Sequence, residues 1–289
     1  MKNTFQLLLF VIWIGFGTIA GVQAQDIAAL ESAGPYQVGT YSELPKVDEF
    51  RQGTIYYPIG KDGLSGGVAI SPGFIEAQEH MSWWGPMLAS HGFIVLTLDT
   101  NEPRDDPSVR AKALMAAIGI IRGEQSRRGS PLNGRVDASR MAVMGHSMGG
   151  GGTLIAANQF SSDLKAAIPL TPWQPDGHFS EVQVPTLIIA GQADSIAEAN
   201  VHAWPFYQSL RDSIPRMYLE IKDGNHFIAN SFVDEPRFTP DPDVHDLVGR
   251  FVVAWLKLYL DGDDTYRDFV FGDVPQRDMD RISRFQFSD

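Results

Sequence analysis

The segment Met141-Ala-Val-Met-Gly-His-Ser-Met-Gly149 joins an apolar run to a G-x-S-x-G pentapeptide. The apolar residues 141–144 predict a buried strand, and the residues after the serine predict a helix over 148–158. A serine between a strand and a helix lies on a sharp turn, where only small neighbouring residues avoid a clash. Ser147 is therefore a candidate nucleophile; a chance Gly-Ser turn is the simpler alternative.

Strand and helix patterns alternate on both sides of this segment. Buried strands are predicted at residues 67–70, 93–98, 166–170, 186–190 and 217–221, and helices at 83–91, 108–122, 204–212 and 244–260. Residues 25–60 contain short runs punctuated by Gly and Pro, such as residues 53–57, which suit antiparallel edge strands. Because strands that alternate with helices imply parallel crossovers, we expect one α/β domain over residues 25–289, with a mostly parallel sheet flanked by helices.

The first 24 residues have the pattern of an export signal. Lys2 is the positive start, residues 7–19 are the apolar centre, and Val22-Gln-Ala24 is the small-residue cleavage site. The apolar centre is short and interrupted by glycine, whereas a membrane span needs about 20 apolar residues. We therefore expect cleavage after Ala24, secretion to the extracellular space or the periplasm, and no stable membrane insertion. An uncleaved anchor is the alternative.

Composition excludes several classes of function. The 289 residues include 23 basic and 35 acidic side chains, a net charge of −12. Nucleic acid is an unsuitable partner because its binding requires the neutralisation of phosphates. The chain has no cysteine, which excludes thiol nucleophiles, thiolate zinc sites and iron–sulfur clusters. No two histidines have metal-ligand spacing, so we expect neither a metal nor a cofactor.

A serine nucleophile needs a histidine base that is oriented by a carboxylate. In this strand–turn–helix context the acid and then the histidine follow the serine, each just past a strand. Asp194 follows the strand predicted at 186–190, and His226 follows that at 217–221. Two other carboxylates are possible: Asp223, which is more simply a turn former, and Asp176, which comes one strand early.

The donors for an oxyanion are predicted to be two backbone N–H groups. One belongs to Met148, directly after the nucleophile, and the other to Phe74 in the loop Ser71-Pro-Gly-Phe74, which follows an early strand. An ordinary Pro-Gly turn is the alternative interpretation of that loop.

With these residues in place, the chain resembles the bacterial polyesterase–lipase–cutinase family, which includes the poly(ethylene terephthalate) hydrolases. The resemblance runs through most of the chain after residue 24. Its most specific stretches are Ser71-Pro-Gly-Phe74, Trp83-Trp-Gly-Pro86, Ala89-Ser-His-Gly-Phe93, Asp99-Thr-Asn101, Gly145-His-Ser-Met-Gly-Gly-Gly-Gly152, Thr171-Pro-Trp173 and Asp194-Ser-Ile-Ala197.

The resemblance implies a lidless α/β-hydrolase fold with an open groove and a Ser147, Asp194 and His226 triad. Matching the family position by position, the substrate-binding residues are Phe74, Met148, Trp173, Ile196, His146 and Phe227. The implied activity is that of a monomeric serine esterase that hydrolyses cutin-like polyesters, poly(ethylene terephthalate) and short-chain acyl esters. A triacylglycerol lipase or a soluble-ester esterase would have the same triad. A catalytically silent binding protein is a more remote alternative.

The sequence departs from the family pattern in two respects. Relatives carry a disulfide near the C-terminus, where this chain has Phe271 and Phe287. Calcium-binding members place a carboxylate two residues before the catalytic acid, where this chain has Gln192. The resemblance therefore implies neither this disulfide nor this calcium site for the chain.

Overall fold

The computed structural model describes residues 27–235, 238–239, 242–272 and 275–289. The export signal predicted over residues 1–24 lies outside them. The strands are β1 Gln37–Tyr41, β2 Gln52–Ile59, β3 Ser65–Ser71, β4 Ile94–Asp99, β5 Val136–His146, β6 Ala166–Leu170, β7 Thr186–Gly191, β8 Arg216–Ile221 and β9 Ile282–Ser288. The helices are α1 Trp84–Ser90, α2 Pro107–Glu124, α3 Met148–Gln159, α4 Ala203–Ser209, α5 His245–Leu256 and α6 Arg267–Val270.

These strands form one sheet in the order β1-β2-β4-β3-β5-β6-β7-β8-β9. The strands from β4 through β8 pair in parallel, whereas β1, β2 and β9 pair antiparallel with their neighbours. Because parallel strands share one direction, the loops after β3, β5, β7 and β8 all leave the same edge of the sheet. The α/β-hydrolase arrangement implied by the resemblance is confirmed.

Helices cover both faces of the sheet. Helices α2, α3 and α4 pack on one face, and α1 and α5 pack on the other. In β3, Ala69 faces the α2 side, whereas Val68 and Ile70 face the α5 side, and all three are fully buried. Burial on both faces explains why the central strands are continuous apolar runs in the sequence. Among the described helices, none combines the length and the apolar character that a bilayer crossing requires.

The structure differs from the sequence predictions mainly at the borders of the sheet. Antiparallel edge strands were predicted within residues 25–60 without the bounds of β1, and no strand was predicted at β9. The side chains of both strands are mostly partly buried or exposed. The run at residues 53–57 is antiparallel as predicted but is not an edge, since β1 covers β2. The predicted helix 244–260 ends as an α-helix at Leu256 and continues as a π-helical turn, Lys257–Asp261.

Candidate active site

Ser147 lies on the turn between β5 and α3. Its backbone is in the left-handed region, with φ of 53° and ψ of −116°, which a residue with a side chain adopts only when its surroundings enforce it. A Cβ atom on Gly149 would overlap the carbonyl oxygens of Ser71 and Pro72, and one on Gly145 would overlap the carbonyl of Gly149. Glycine at both positions lets the turn close against the neighbouring loop.

The loops after β7 and β8 bring an acid and a histidine to this serine. His226 Nε2 lies 2.9 Å from Ser147 Oγ, and His226 Nδ1 lies 2.7 Å from Asp194 Oδ2. All three residues are buried. Because Asp194 Oδ2 is an acceptor, Nδ1 carries the ring proton and Nε2 is free to accept the hydroxyl proton of Ser147.

Backbone groups hold the carboxylate of Asp194 in place. Its second oxygen, Oδ1, accepts hydrogen bonds of 2.8 Å from the N–H groups of Ile196 and Ala197. Burial by itself would raise the pKa of Asp194, but the bond with His226 and these N–H donors hold it below its usual range. Burial lowers the pKa of His226, which favours the neutral ring that can accept a proton.

The two rival carboxylates lie elsewhere. Asp223 is exposed, has φ of 56°, and its N–H donates to Gln192 Oε1 at 3.0 Å, so it belongs to a turn. Asp176 is exposed as well. The structure therefore brings Asp194, and neither rival, to Nδ1 of His226.

The two predicted oxyanion donors lie next to the nucleophile. Met148 is the first residue of α3, so its N–H has no acceptor within the helix. The N–H of Phe74 bonds to none of the residues that the structure describes. A Cβ atom placed on Gly73 would lie 3.0 Å from Ser147 Cβ, which shows how closely the Phe74 loop approaches the serine.

Arg110 and a strained turn hold this loop. The Arg110 guanidinium is fully buried and donates to the carbonyls of Pro72, at 2.9 Å, and Pro103, at 3.0 Å. The N–H of Ile75 donates to the same Pro103 carbonyl at 2.7 Å. Ile75 has φ of 57°, a conformation that is costly for a β-branched residue. Such strain at the position after Phe74 is typical of a functional loop.

A pocket of about 230 Å³ opens beside Ser147. Its lining residues are Phe74, Ile75, Glu76, His146, Ser147, Ile196, His226, Phe227 and Phe238. Phe74 and Ile196 are 42% and 55% exposed, so apolar surface continues from the pocket into solvent. Such a site suits an apolar or aromatic acyl group.

Only four of the six predicted substrate-binding residues line this pocket. Met148 and Trp173 do not, although both adjoin the nucleophile. The backbone N–H of Trp173 donates to the Ser147 carbonyl at 2.9 Å, and its half-buried ring lies 5.9 Å from that of His202. The side chain of Trp173 thus packs toward α4 rather than into this pocket.

Three residues of the pocket lining were not singled out from the sequence: Ile75, Glu76 and Phe238. Glu76 is buried and its Oε2 lies 2.9 Å from Nδ1 of His146. An isolated glutamate in a loop carries no sequence signal for such a contact. His146 lines the pocket too, but its side chain is 1% exposed and both ring nitrogens contact protein groups. That it binds substrate stays a prediction.

Other side-chain contacts occupy the two places where the chain departs from the family pattern. The rings of Phe271 and Phe287 are 5.2 Å apart and pack together. Gln192 accepts the N–H of Asp223, as described above, instead of offering a carboxylate. Within the described ranges, no group of three or more His, Cys, Asp or Glu residues could hold a metal ion.

Known proteins are similar to this chain over most of its length. The family described as "PETase: PET hydrolase-like" matches residues 22–286. Cutinase 2 of Thermobifida cellulosilytica is 45% identical over 237 residues, which are 79% of this chain and 84% of that protein. Cutinase 1 of the same organism is 42% identical over 266 residues, 89% of this chain and 95% of its own. A bis(hydroxyethyl) terephthalate hydrolase of Streptomyces coelicolor is 41% identical over 273 residues, 90% of this chain and 82% of its own.

Proposed function

This chain belongs to the PET hydrolase-like family, and from that premise we propose that it is a polyester hydrolase working through Ser147, His226 and Asp194. It is a carboxylic-ester hydrolase, as its cutinase and terephthalate-ester hydrolase relatives are. The observation that carries the mechanism is the unbroken hydrogen-bond chain from Ser147 Oγ through the His226 ring to Asp194.

The proposed reaction proceeds through an acyl-enzyme. Ser147 Oγ attacks the ester carbonyl while His226 Nε2 takes its proton, and His226 then gives that proton to the departing alcohol. The N–H groups of Phe74 and Met148 donate to the oxyanion of each tetrahedral intermediate. Water, activated by the same histidine, then releases the acid. Asp194 keeps the ring in the correct tautomer and stabilises the imidazolium that forms.

The pocket supports a polyester as the substrate. Its volume is below the roughly 300 Å³ at which ligand pockets typically begin, so it suits one acyl unit rather than a whole oligomer. The exposed Phe74 and Ile196 side chains would contact neighbouring units of a polymer that extends beyond it. The aromatic lining, with Phe227 and Phe238, suits a terephthalate ring as well as an aliphatic acyl chain.

Product release from amorphous poly(ethylene terephthalate) film, with p-nitrophenyl butyrate hydrolysis in parallel, tests this proposal. We expect terephthalate products from the wild type and a loss of at least about 10⁴-fold in both assays for Ser147→Ala. The exposed Ser213 provides a matched control, Ser213→Ala, which should behave as wild type. Retained activity in Ser147→Ala would refute the mechanism. Butyrate hydrolysis without film products would leave a soluble-ester esterase or a lipase.

We also propose that the enzyme acts outside the cytoplasm, on the basis of the signal pattern in residues 1–24. Expression of the full chain with its own N-terminus, followed by N-terminal sequencing of the exported protein, tests this. A mature protein that starts at Gln25 is expected. Retention of the whole chain in the cell, with an intact Met1, would contradict it.

A further inference from the structure

A buried pair of side chains, Glu76 and His146, lies directly behind the triad. Each side chain is 1% exposed, and Glu76 Oε2 lies 2.9 Å from His146 Nδ1. Nε2 of the same imidazole lies 2.9 Å from the backbone carbonyl oxygen of His226. The rings of His146 and His226 are 4.7 Å apart. The pair thus connects the loop after β3 to the histidine loop through the last residue of β5.

The contacts of His146 determine its protonation. A carboxylate oxygen faces Nδ1 and a carbonyl oxygen faces Nε2, and both are acceptors, so each ring nitrogen must donate. Glu76 is ionised, because Oε2 also accepts the N–H of Gly73, at 2.5 Å, and Oε1 accepts from the Asn230 amide at 2.7 Å. His146 is therefore an imidazolium that is paired with a carboxylate in the protein interior.

The surrounding charges agree with this assignment. Burial would lower the pKa of His146, but the charge and hydrogen bond of Glu76, with a smaller contribution from Asp194, raise it. Burial would raise the pKa of Glu76, but His146, the Gly73 N–H and His80 lower it to about 2. The Arg110 guanidinium also interacts electrostatically with the Glu76 carboxylate.

The pair contacts both halves of the catalytic apparatus. Through Glu76 it binds the N–H of Gly73, which precedes the proposed oxyanion donor Phe74. It also closes the turn that contains the strained Ile75. Through His146 it holds the carbonyl of His226, which Thr171 Oγ also contacts at 3.0 Å.

We propose that Glu76 is a positioning residue for ester hydrolysis: it keeps His146 as a cation, and together they fix the oxyanion loop and the backbone of His226. The cation has a second effect, which is to keep the His226 ring neutral at lower pH. The charges that face this ring are Asp194, Glu76 and His146, and the nearby His146 lowers the pKa of His226 more than Glu76 raises it. This inference rests on the proposed function.

The variant Glu76→Gln tests the proposal, with Glu79→Gln as the matched control. Glu79 is exposed and lies three residues further along the same segment. In Glu76→Gln the uncharged amide no longer stabilises the imidazolium, so His146 becomes neutral and the acid limb of kcat/KM moves to higher pH. The Gly73 N–H also loses its carboxylate acceptor, and we expect kcat to fall about tenfold or more, the cost of displaced catalytic groups. Glu79→Gln should change neither quantity.

Two results would overturn the proposal. One is a folded Glu76→Gln enzyme that keeps the wild-type kcat and acid limb. The other is a loss of activity that is fully explained by a lower fraction of folded protein, as measured by thermal unfolding, with the acid limb unmoved. The second result would indicate a merely structural glutamate.

A second test uses the wild-type protein, so its result depends neither on whether the variant folds nor on whether the enzyme is active. Nitrogen-15 NMR of histidine-labelled wild-type protein should show both ring nitrogens of His146 still protonated above pH 6.5, where an ordinary imidazole is mostly neutral, whereas His226 should show one protonated nitrogen. A His146 that loses its proton at or below the ordinary pKa of about 6.5 would overturn the proposal even if the enzyme is active. If the wild type hydrolyses no ester while His146 is cationic, the proposed function fails and the buried ion pair stands.

Discussion

The substitution Asp194→Asn tests the triad with minimal disturbance of the fold. In the structure Oδ1 accepts two backbone N–H groups, of Ile196 and Ala197, while Oδ2 faces Nδ1 of His226. An asparagine must keep its oxygen toward the two N–H donors, so its NH₂ group faces the imidazole. Nδ1 must then be the acceptor, and the ring proton moves to Nε2, where it blocks proton transfer from Ser147.

The expected loss in kcat is about 10⁴-fold, the effect of the wrong tautomer in a serine hydrolase, equivalent to about 5 kcal/mol of transition-state stabilisation. p-Nitrophenyl butyrate hydrolysis measures it, with thermal unfolding to establish that the variant is folded. Asp223→Asn is the control, because Asp223 is an exposed carboxylate three residues before His226 and asparagine tolerates its positive φ. If Asp194→Asn retains more than about a tenth of the activity, or if Asp223→Asn loses as much, the reasoning is wrong.

Three further predictions follow from the same contacts. Because burial lowers the pKa of His226 and the neutral ring is the active form, the acid limb of kcat/KM for p-nitrophenyl butyrate should lie below pH 6.5, and a limb above it would contradict this. Gly149→Ala should lower the free energy of unfolding by about 1–3 kcal/mol, measured by thermal unfolding, because the new Cβ atom meets two backbone carbonyls. The control Gly119→Ala, at an exposed and open position of α2, should be neutral or stabilising by up to about 1 kcal/mol. Equal effects of the two substitutions would show that the turn does not need glycine. Phe74→Ala should lower film hydrolysis more than butyrate hydrolysis and leave the unfolding temperature nearly unchanged, because Phe74 is 42% exposed and we expect its ring to contact the polymer. Parallel losses in the two assays would argue against that contact.

Several parts of this protein were predictable because local sequence patterns specify them. The central strands are apolar on both faces, so they stand out as continuous runs in the chain. The strand β9 was missed, and β1 was predicted only as part of a longer segment, since partly exposed strands lack this pattern and pair only because the rest of the sheet offers an edge.

The active site likewise has a part that the sequence predicted and a part that it did not. Chain order and strand ends were sufficient to select Asp194 over Asp223, and the structure brings the former to His226. They could not show that the ring of Trp173 packs toward His202, because the direction of a loop side chain depends on its neighbours in space.

The amino-acid sequence by itself determined the nucleophile turn, the parallel core and the residues available to a serine, acid and histidine triad, since each rests on local backbone and burial requirements. Only the tertiary structure decided that Glu76 and His146, 70 residues apart in the chain, meet as a buried ion pair behind the triad. A charge pair in the interior is stable only where acceptors and donors converge from several segments, and no local pattern of residues records that convergence.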